Sequence, residues 1–384
     1  MSISDISCVG KGISQNLICK NICFKSSYSR MLVSQSLKVK GEGESPISTC
    51  QFEIPILFLI FNRPETTQQV FVQIQKIKPK KLYVASDGPK NDSDRILCEK
   101  TRNILKQIDW DCELHIRFLD ENLGGCDPAL RSEISWFFEN EEMGIILEDD
   151  CLPHLDFFSF CREMLVKYQY NEKIMLISGD NAISKIKKPT ESYYFSRGVY
   201  IWGWASWRRA WNMFDKYLKH WPVYRSQLIV DPYFSKVPEY REVLLYEYDR
   251  LYLDPESGNW DGQWSCCVMM NGGLSIIPRE NLITNIGAIG VHYDGENLQG
   301  LFNDTNSLGK IIHPASITPN CLLDTIRYRN WVHLSSKYYY ALKLSCMLRA
   351  YGFSRILSIC HPLDIGYFLK NILNRMKINH NLSQ

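Results

Sequence analysis

The chain has 384 residues, 45% of them hydrophobic and 22% charged, with a formal net charge of +2. That length can bury one large core or two modest ones, and the near-neutral balance gives no general electrostatic reason for nucleic acid to be the partner. Fourteen cysteines are scattered along the chain, no signal-peptide pattern opens it, and the longest clean apolar run, Ile54–Phe61, falls far short of the roughly 20 residues of a membrane-crossing helix.

Reduced thiols and a cytoplasmic setting are therefore expected. Cys19 with Cys23, or Cys266 with Cys267, could ligate a metal, but no second Cys/His pair stands at zinc-site spacing. Residues 1–50 are rich in Ser, Lys and Cys and close on Gly41-Glu42-Gly43-Glu44-Ser45-Pro46, which predicts a weakly ordered extension and a linker. From Ile54 short apolar runs alternate with helical ones, the pattern of an α/β domain. Ile56–Phe61 is strand-like, Thr66–Ile77 helix-like, Lys81–Ser86 strand-like, Asp94–Gln107 helix-like and Leu114–Leu119 strand-like. Asp127-Pro128 then reads as an N-cap with a first-turn proline, followed by Ala129, Leu130, Ile134, Phe137 and Phe138 on one helical face. Met143–Leu147 is the next strand, Leu155–Tyr168 a helix and Ile174–Ser178 a strand. The stretch from Tyr193 to Trp211 is unusually aromatic, and a short strand is expected around Leu274–Ile277. After residue 330, Lys337, Lys343, Arg349, Arg355, Lys370, Arg375 and Lys377 stand against a lone acid, Asp364, in a basic amphipathic tail. The organisation expected is an extension over 1–50, a catalytic domain over 51–300 and a basic, mostly helical extension over 301–384.

In open α/β sheets ligands bind beyond the carboxyl ends of the strands, so the residues after each apolar run come first. They are Asn62-Arg63-Pro64, Ser86-Asp87-Gly88-Pro89 and Glu148-Asp149-Asp150. An arginine can pair with phosphate, an aspartate can accept hydrogen bonds from a base or ribose, and crowded carboxylates after a buried strand are costly without a cation such as Mg²⁺ or Mn²⁺. Each cluster alone has a plainer reading, as a turn or a solvated acidic loop. Together they suit a nucleoside diphosphate.

In these residues the chain resembles GT-A glycosyltransferases, particularly the inverting N-acetylglucosaminyltransferase I type and bacterial family-two-like relatives, some labelled haemolysin-like. Pro55-Ile56-Leu57 with Arg63 is similar to the family's first strand and nucleotide-contacting arginine, and Leu82–Asp87 to its second strand with a base- or ribose-contacting aspartate. Glu148-Asp149-Asp150 is similar to its DxD-type motif. The likeness continues through Pro153, Phe157-Phe158, Gly203-Trp204, Trp260-Asp261 and Ile277-Pro278-Arg279-Glu280, and covers roughly residues 54–295. It implies a mixed, mostly parallel sheet flanked by helices, Asp150 as metal ligand, Asp149 near the donor sugar or ribose, Glu148 as a supporting charge and Asp261 as general base. Gly262 stands where the family often has a second acid, and Asp254 and Glu256 are the nearest substitutes for Asp261. By the residues alone, Asp261 could equally be a helix N-cap, and Trp204 either a sugar contact or core. Asn122-Leu123-Gly124-Gly125 could let backbone approach the donor or simply turn the chain. His292 stands where some GT-A enzymes place a late metal-ligating histidine.

The resemblance implies a metal-dependent inverting transferase that moves a sugar from a nucleotide-diphospho-sugar, UDP-linked, to a hydroxyl of a glycan or lipid-linked acceptor in polysaccharide biosynthesis. The basic tail is expected either to contact the anionic inner face of the cell membrane or to pack as a helical lid. A sugar nucleotidyltransferase is the enzymatic alternative, although Phe61-Asn62-Arg63-Pro64 lacks the Gly-rich loop such enzymes carry after the first strand. A non-enzymatic, membrane-active protein working through its tail is the other.

Overall fold

The computed structural model describes residues 32–39, 51–256, 259–287, 304–334, 339–357 and 361–364. In chain order its strands are β1 (Leu32–Val39), β2 (Ile56–Ile60), β3 (Lys81–Ser86), β4 (Cys112–Leu119), β5 (Met143–Glu148), β6 (Cys151–Pro153), β7 (Ile174–Ser178), β8 (Tyr193–Ser196), β9 (Trp204–Trp207), β10 (Leu274–Pro278) and β11 (Ile283–Asn285). Nine of them form one sheet in the order β1-β4-β3-β2-β5-β9-β7-β10-β8, and β6 pairs with β11 apart from it. Strands β4, β3, β2 and β5 run parallel, as do β7 and β10, whereas β1, β8 and β9 pair antiparallel with their neighbours. The fold is α/β with a mixed sheet: six of its nine strands point the same way, and four of the eight pairings are parallel.

The helices are α1 (Pro64–Ile77), α2 (Asp92–Asn103), α3 (Cys126–Asn140), α4 (Leu155–Lys167), α5 (Arg208–Trp211), α6 (Trp221–Val230), α7 (Pro238–Leu253), α8 (Trp260–Met270), α9 (Cys321–Leu334), α10 (Tyr339–Ala350) and α11 (Ser354–Leu357). All five residues of β2 are buried, as a strand covered on both faces requires. Its alternate side chains serve two cores: Ile56, Phe58 and Ile60 belong to the one that includes Phe71 of α1 and Phe158 of α4, while Leu57 and Leu59 belong to the one that includes Phe137 of α3 and Trp264 of α8.

Local chemistry explains where elements depart from expectation. Helix α1 begins at Pro64, because a proline in the first turn forfeits no helical hydrogen bond. Helix α2 starts at Asp92, where the Asn91 side chain accepts the Asp94 N–H at 2.9 Å, and its last predicted turn tightens to a 3-10 segment over Ile104–Gln107. Within the first 50 residues, 32–39 form the edge strand β1, registered from Leu32 opposite Leu119 to Val39 opposite Cys112. The rest of that stretch lies outside the described residues.

Beyond residue 300 the described chain packs into the same body. Leu308 joins the core, and buried Asp324 of α9 accepts the Ser196 hydroxyl at 2.6 Å, the Arg197 N–H at 2.9 Å and the Tyr233 hydroxyl at 2.6 Å. Helix α10 docks on α7 through Arg349, which donates to Glu242 at 2.6 and 2.8 Å, with Glu242 fully buried. Removing one partner of such a pair leaves the other charge uncompensated. Glu242→Ala is therefore expected to cost about 3–5 kcal/mol in urea unfolding and to open the junction of α7 and α10 to limited proteolysis. No helix among the described residues is long and apolar enough to cross a membrane.

Candidate active site

After β2 the chain fills positions outward through β3 and β4, then returns to lay β5 on the opposite side of β2. The carboxyl ends of β2 and β5 therefore flank a switch point, where diverging connections leave a crevice. Arg63, at the N-cap position of α1, and Glu148-Asp149-Asp150, at the end of β5, both emerge there. This topology brings residues about 87 apart in sequence into contact. Arg63 Nη1 donates to Asp150 Oδ2 at 2.7 Å and lies 3.6 Å from Asp149 Oδ1. The Phe61 N–H donates to Asp149 Oδ2 at 3.1 Å.

Three adjacent carboxyl groups cannot all ionise cheaply in this setting. Burial, then the like charges of Asp150, Asp149 and Asp261, holds the Glu148 carboxyl well above its ordinary range. Asp149 is pushed up to about 7, chiefly by burial, with Arg63 opposing. A carboxyl raised in the folded state binds protons that the unfolded chain has already released, so its contribution to stability is lost as pH rises through the folded value. The cluster is thus expected to favour folding more at pH 5 than at pH 8. In thermal unfolding, Mg²⁺ or Mn²⁺ should raise Tm more at pH 8 than at pH 5, and Asp149→Asn should reduce that difference.

Asp261 belongs to a different element. It lies in the first turn of α8, two residues after the left-handed Asn259 (φ 70°). The N-cap position belongs to Asn259, so Asp261 is not the cap that its sequence context also allowed. Its side chain is exposed to water, yet surrounding protein holds its carboxyl above the ordinary aspartate range, with Asp127 adding like charge. Its effect on Glu148 places it in the electrostatic field of the acidic loop. Of the two substitutes, Glu256 is paired with Lys216, and Asp254 ends α7.

Two residues position that helix in ways the sequence did not disclose. Asp127, expected as an N-cap, lies inside α3, whose cap position is Gly125 (φ 144°), and accepts the Trp260 N–H at 2.8 Å. Trp204, for which the sequence left sugar contact and core packing open, is core. It is 1% exposed and packs on Trp260, Trp264 and Trp211 at ring distances of 6.1, 6.3 and 6.2 Å. A central strand with its side chains committed to the sheet face has no open ring to offer. What Trp204 does is brace the start of α8, one residue from Asp261.

Asp87 is also more occupied than expected. It is buried, and its carboxylate accepts the Gly88 N–H at 2.8 Å, the Asn122 amide at 2.7 Å and the Leu123 N–H at 3.0 Å. It ties the loop after β3 to the loop before α3, and Gly88 permits that closeness, since a Cβ there would lie 2.2 Å from the Glu121 carbonyl carbon. Gly124 adopts φ 91°, a conformation that costs other residues strain, so the turn reading of 122–125 has a direct conformational basis. On the far side of the acidic loop, the Ile286 N–H donates to the Asp150 carbonyl at 2.8 Å, and a Cβ on Gly287 would meet Asp150 Oδ2 at 2.3 Å. Backbone without a side chain thus borders Asp150. His292 lies outside the described residues. A cavity of about 600 Å³ lined by Lys167, Asn171 and Lys173 opens at the amino end of β7, the opposite end of the sheet from these carboxylates.

Among the described residues, no three His, Cys, Asp or Glu side chains form a metal cage. The donor set nevertheless fits Mg²⁺ or Mn²⁺ of the kind held by one or two carboxylates and completed by substrate phosphates and water. In the structure, the guanidinium of Arg63 supplies the positive charge that Asp149 and Asp150 require.

The fold and site together define an α/β protein with a carboxylate-rich crevice at the switch point of its sheet. The chain matches no family model and shows no significant similarity to a curated protein.

Proposed function

We propose that this chain is a metal-dependent inverting glycosyltransferase of the GT-A type, transferring a sugar from a nucleotide-diphospho-sugar, UDP-linked, to a hydroxyl of a glycan or lipid-linked acceptor. The observation that carries the reading is the meeting of Arg63 with Asp149 and Asp150 at the switch point of the sheet, with Asp261, from a third element, adding like charge at Glu148. A mixed sheet with six of its nine strands in one direction is compatible with the GT-A architecture.

Arg63 pairs with diphosphate oxygens in exchange for its present carboxylate partners. Asp150, with Asp149 beside it, would hold Mg²⁺ or Mn²⁺, which would supply positive charge for the departing diphosphate. Asp87 keeps the two loops flanking the nucleotide in place, with its backbone neighbours rather than a free carboxylate facing the base and ribose. Asp261 accepts the proton of the acceptor hydroxyl while that oxygen attacks the anomeric carbon opposite the leaving group. The bond from the anomeric carbon to the acceptor oxygen forms as its bond to the phosphate oxygen breaks, and the configuration inverts. The raised carboxyl of Asp261 makes it a better proton acceptor than an ordinary aspartate.

A panel of UDP-, GDP- and dTDP-sugars with Mn²⁺, read as nucleotide release, tests the reading. At least one UDP-sugar should be turned over with metal and not with chelator; silence across the panel, with no donor binding, contradicts it.

A further inference from the structure

Helix α10 has two faces of different character. Leu342, Ser345 and Arg349 are buried against the body, and Arg349 is fixed by Glu242. On the other side Tyr340, Leu344, Met347 and Tyr351, spaced by four, three and four residues, are 83, 42, 52 and 75% exposed. That spacing is one helical stripe.

The end of the helix prolongs the stripe. Gly352 adopts φ 86°, its N–H donates to the Arg349 carbonyl at 3.0 Å and the Phe353 N–H to the Leu348 carbonyl at 3.0 Å. These are the two hydrogen bonds of a Schellman cap. The cap fixes the turn into α11, where Phe353 and Ile356 are again 45 and 53% exposed. Scattered apolar residues on a surface are ordinary, but a run presented by one rigidly docked helix and its capped end is not.

Charge decides what covers it. Residues 335–384 contain seven Lys and Arg against one Asp; Arg349 is neutralised by Glu242, which leaves six, and Asp364 accepts the Tyr246 hydroxyl at 2.7 Å. A second copy of the chain carries the same net-basic sequence over 335–384, so pairing two copies brings like charge together. A surface rich in anionic lipid complements it, and tyrosine at both ends of an apolar stripe suits the boundary between headgroups and acyl chains.

We propose that the outer face of α10 with its capped end, carrying Leu344, Met347, Tyr351, Phe353 and Ile356, docks on an anionic lipid bilayer as an interfacial helix lying in the membrane plane. The fold already anchors the inner face of α10, so docking needs no rearrangement of the sheet. The two expectations for the tail, lid and membrane contact, become two faces of one helix. The inference does not depend on the proposed sugar transfer.

The test is co-sedimentation of the full chain with vesicles of phosphatidylcholine alone or mixed with phosphatidylglycerol, in the absence of any nucleotide sugar. Wild type should pellet with the mixed vesicles and not with the neutral ones, and added salt should release it. Met347→Glu and Leu344→Glu alter exposed positions, so each should melt as wild type does and bind the mixed vesicles about tenfold more weakly or worse. Equal binding to neutral vesicles, undiminished binding of both variants, or no binding by wild type overturns the proposal. So does a concentration-dependent dimer of the wild type that Met347→Glu dissociates, which assigns the stripe to a second copy.

Discussion

Asp261→Asn is expected to lower turnover of the donor about 10²–10⁴-fold while leaving UDP affinity close to that of wild type. Asparagine keeps the shape of the side chain at the start of α8 but cannot accept a proton. The Trp260 N–H bond to Asp127 and the contact of Trp204 with Trp260 involve neighbouring atoms, so the helix should stay in place. The effect should therefore fall on kcat.

The pH profile supplies an independent check. A general base acts in its ionised form, so the rate declines as pH drops through its folded pKa. Because surrounding protein and then Asp127 raise the Asp261 carboxyl, that decline should begin above the range of an ordinary aspartate. Asp127→Asn retains an oxygen for the Trp260 N–H and removes the like charge, so it should move the acidic limb to lower pH. An Asp261→Asn enzyme with near-normal kcat, or with an unchanged acidic limb, assigns the proton to another group.

Asp150→Ala carries the second large expected effect, a loss of about 10²–10³-fold in metal-stimulated turnover, the magnitude typical of removing one electrostatic partner of a developing charge. The structure also says what should not happen. Asp150 crowds Glu148 and Asp149, and Arg63 keeps Asp149 as a partner at 3.6 Å when Asp150 is gone. The variant should fold as well as wild type, or better above pH 7, where the acidic cluster is most ionised. Thermal unfolding beside kinetics separates this from misfolding: a lower Tm at pH 8 contradicts the electrostatic account even if activity is lost.

Much of the framework was readable because strand and helix periods differ. Uninterrupted apolar runs gave β2, β3, β5 and β7 nearly to the residue, and the residues that follow β2 and β5 meet as strand-end logic required. Trp204 was ambiguous because aromatic side chains bury well whatever their function, and only the tertiary packing of Trp211, Trp260 and Trp264 decides which face is covered. Asp127 carried a misleading local signal: Asp-Pro is a good helix start, yet its hydrogen bond goes to a residue 133 positions away. Asp87 was placed correctly at a strand end, but two of its three donors, Asn122 and Leu123, come from a loop no spacing rule connects to it. The pair Glu242 and Arg349 left no mark in either local segment, although it decides how α10 is held and which of its faces remains open.

Under the proposed function, the carboxyl ends of β2 and β5 should gather a divalent cation and a nucleoside diphosphate through Asp150 and Arg63. Electron paramagnetic resonance of free Mn²⁺ tests it most directly, by titrating the protein into Mn²⁺ with and without UDP. Wild type should remove free Mn²⁺ much more strongly when UDP is present than protein or UDP alone explains, and Asp150→Ala should abolish this extra uptake. Uptake that is independent of UDP, or equal in Asp150→Ala, would contradict it.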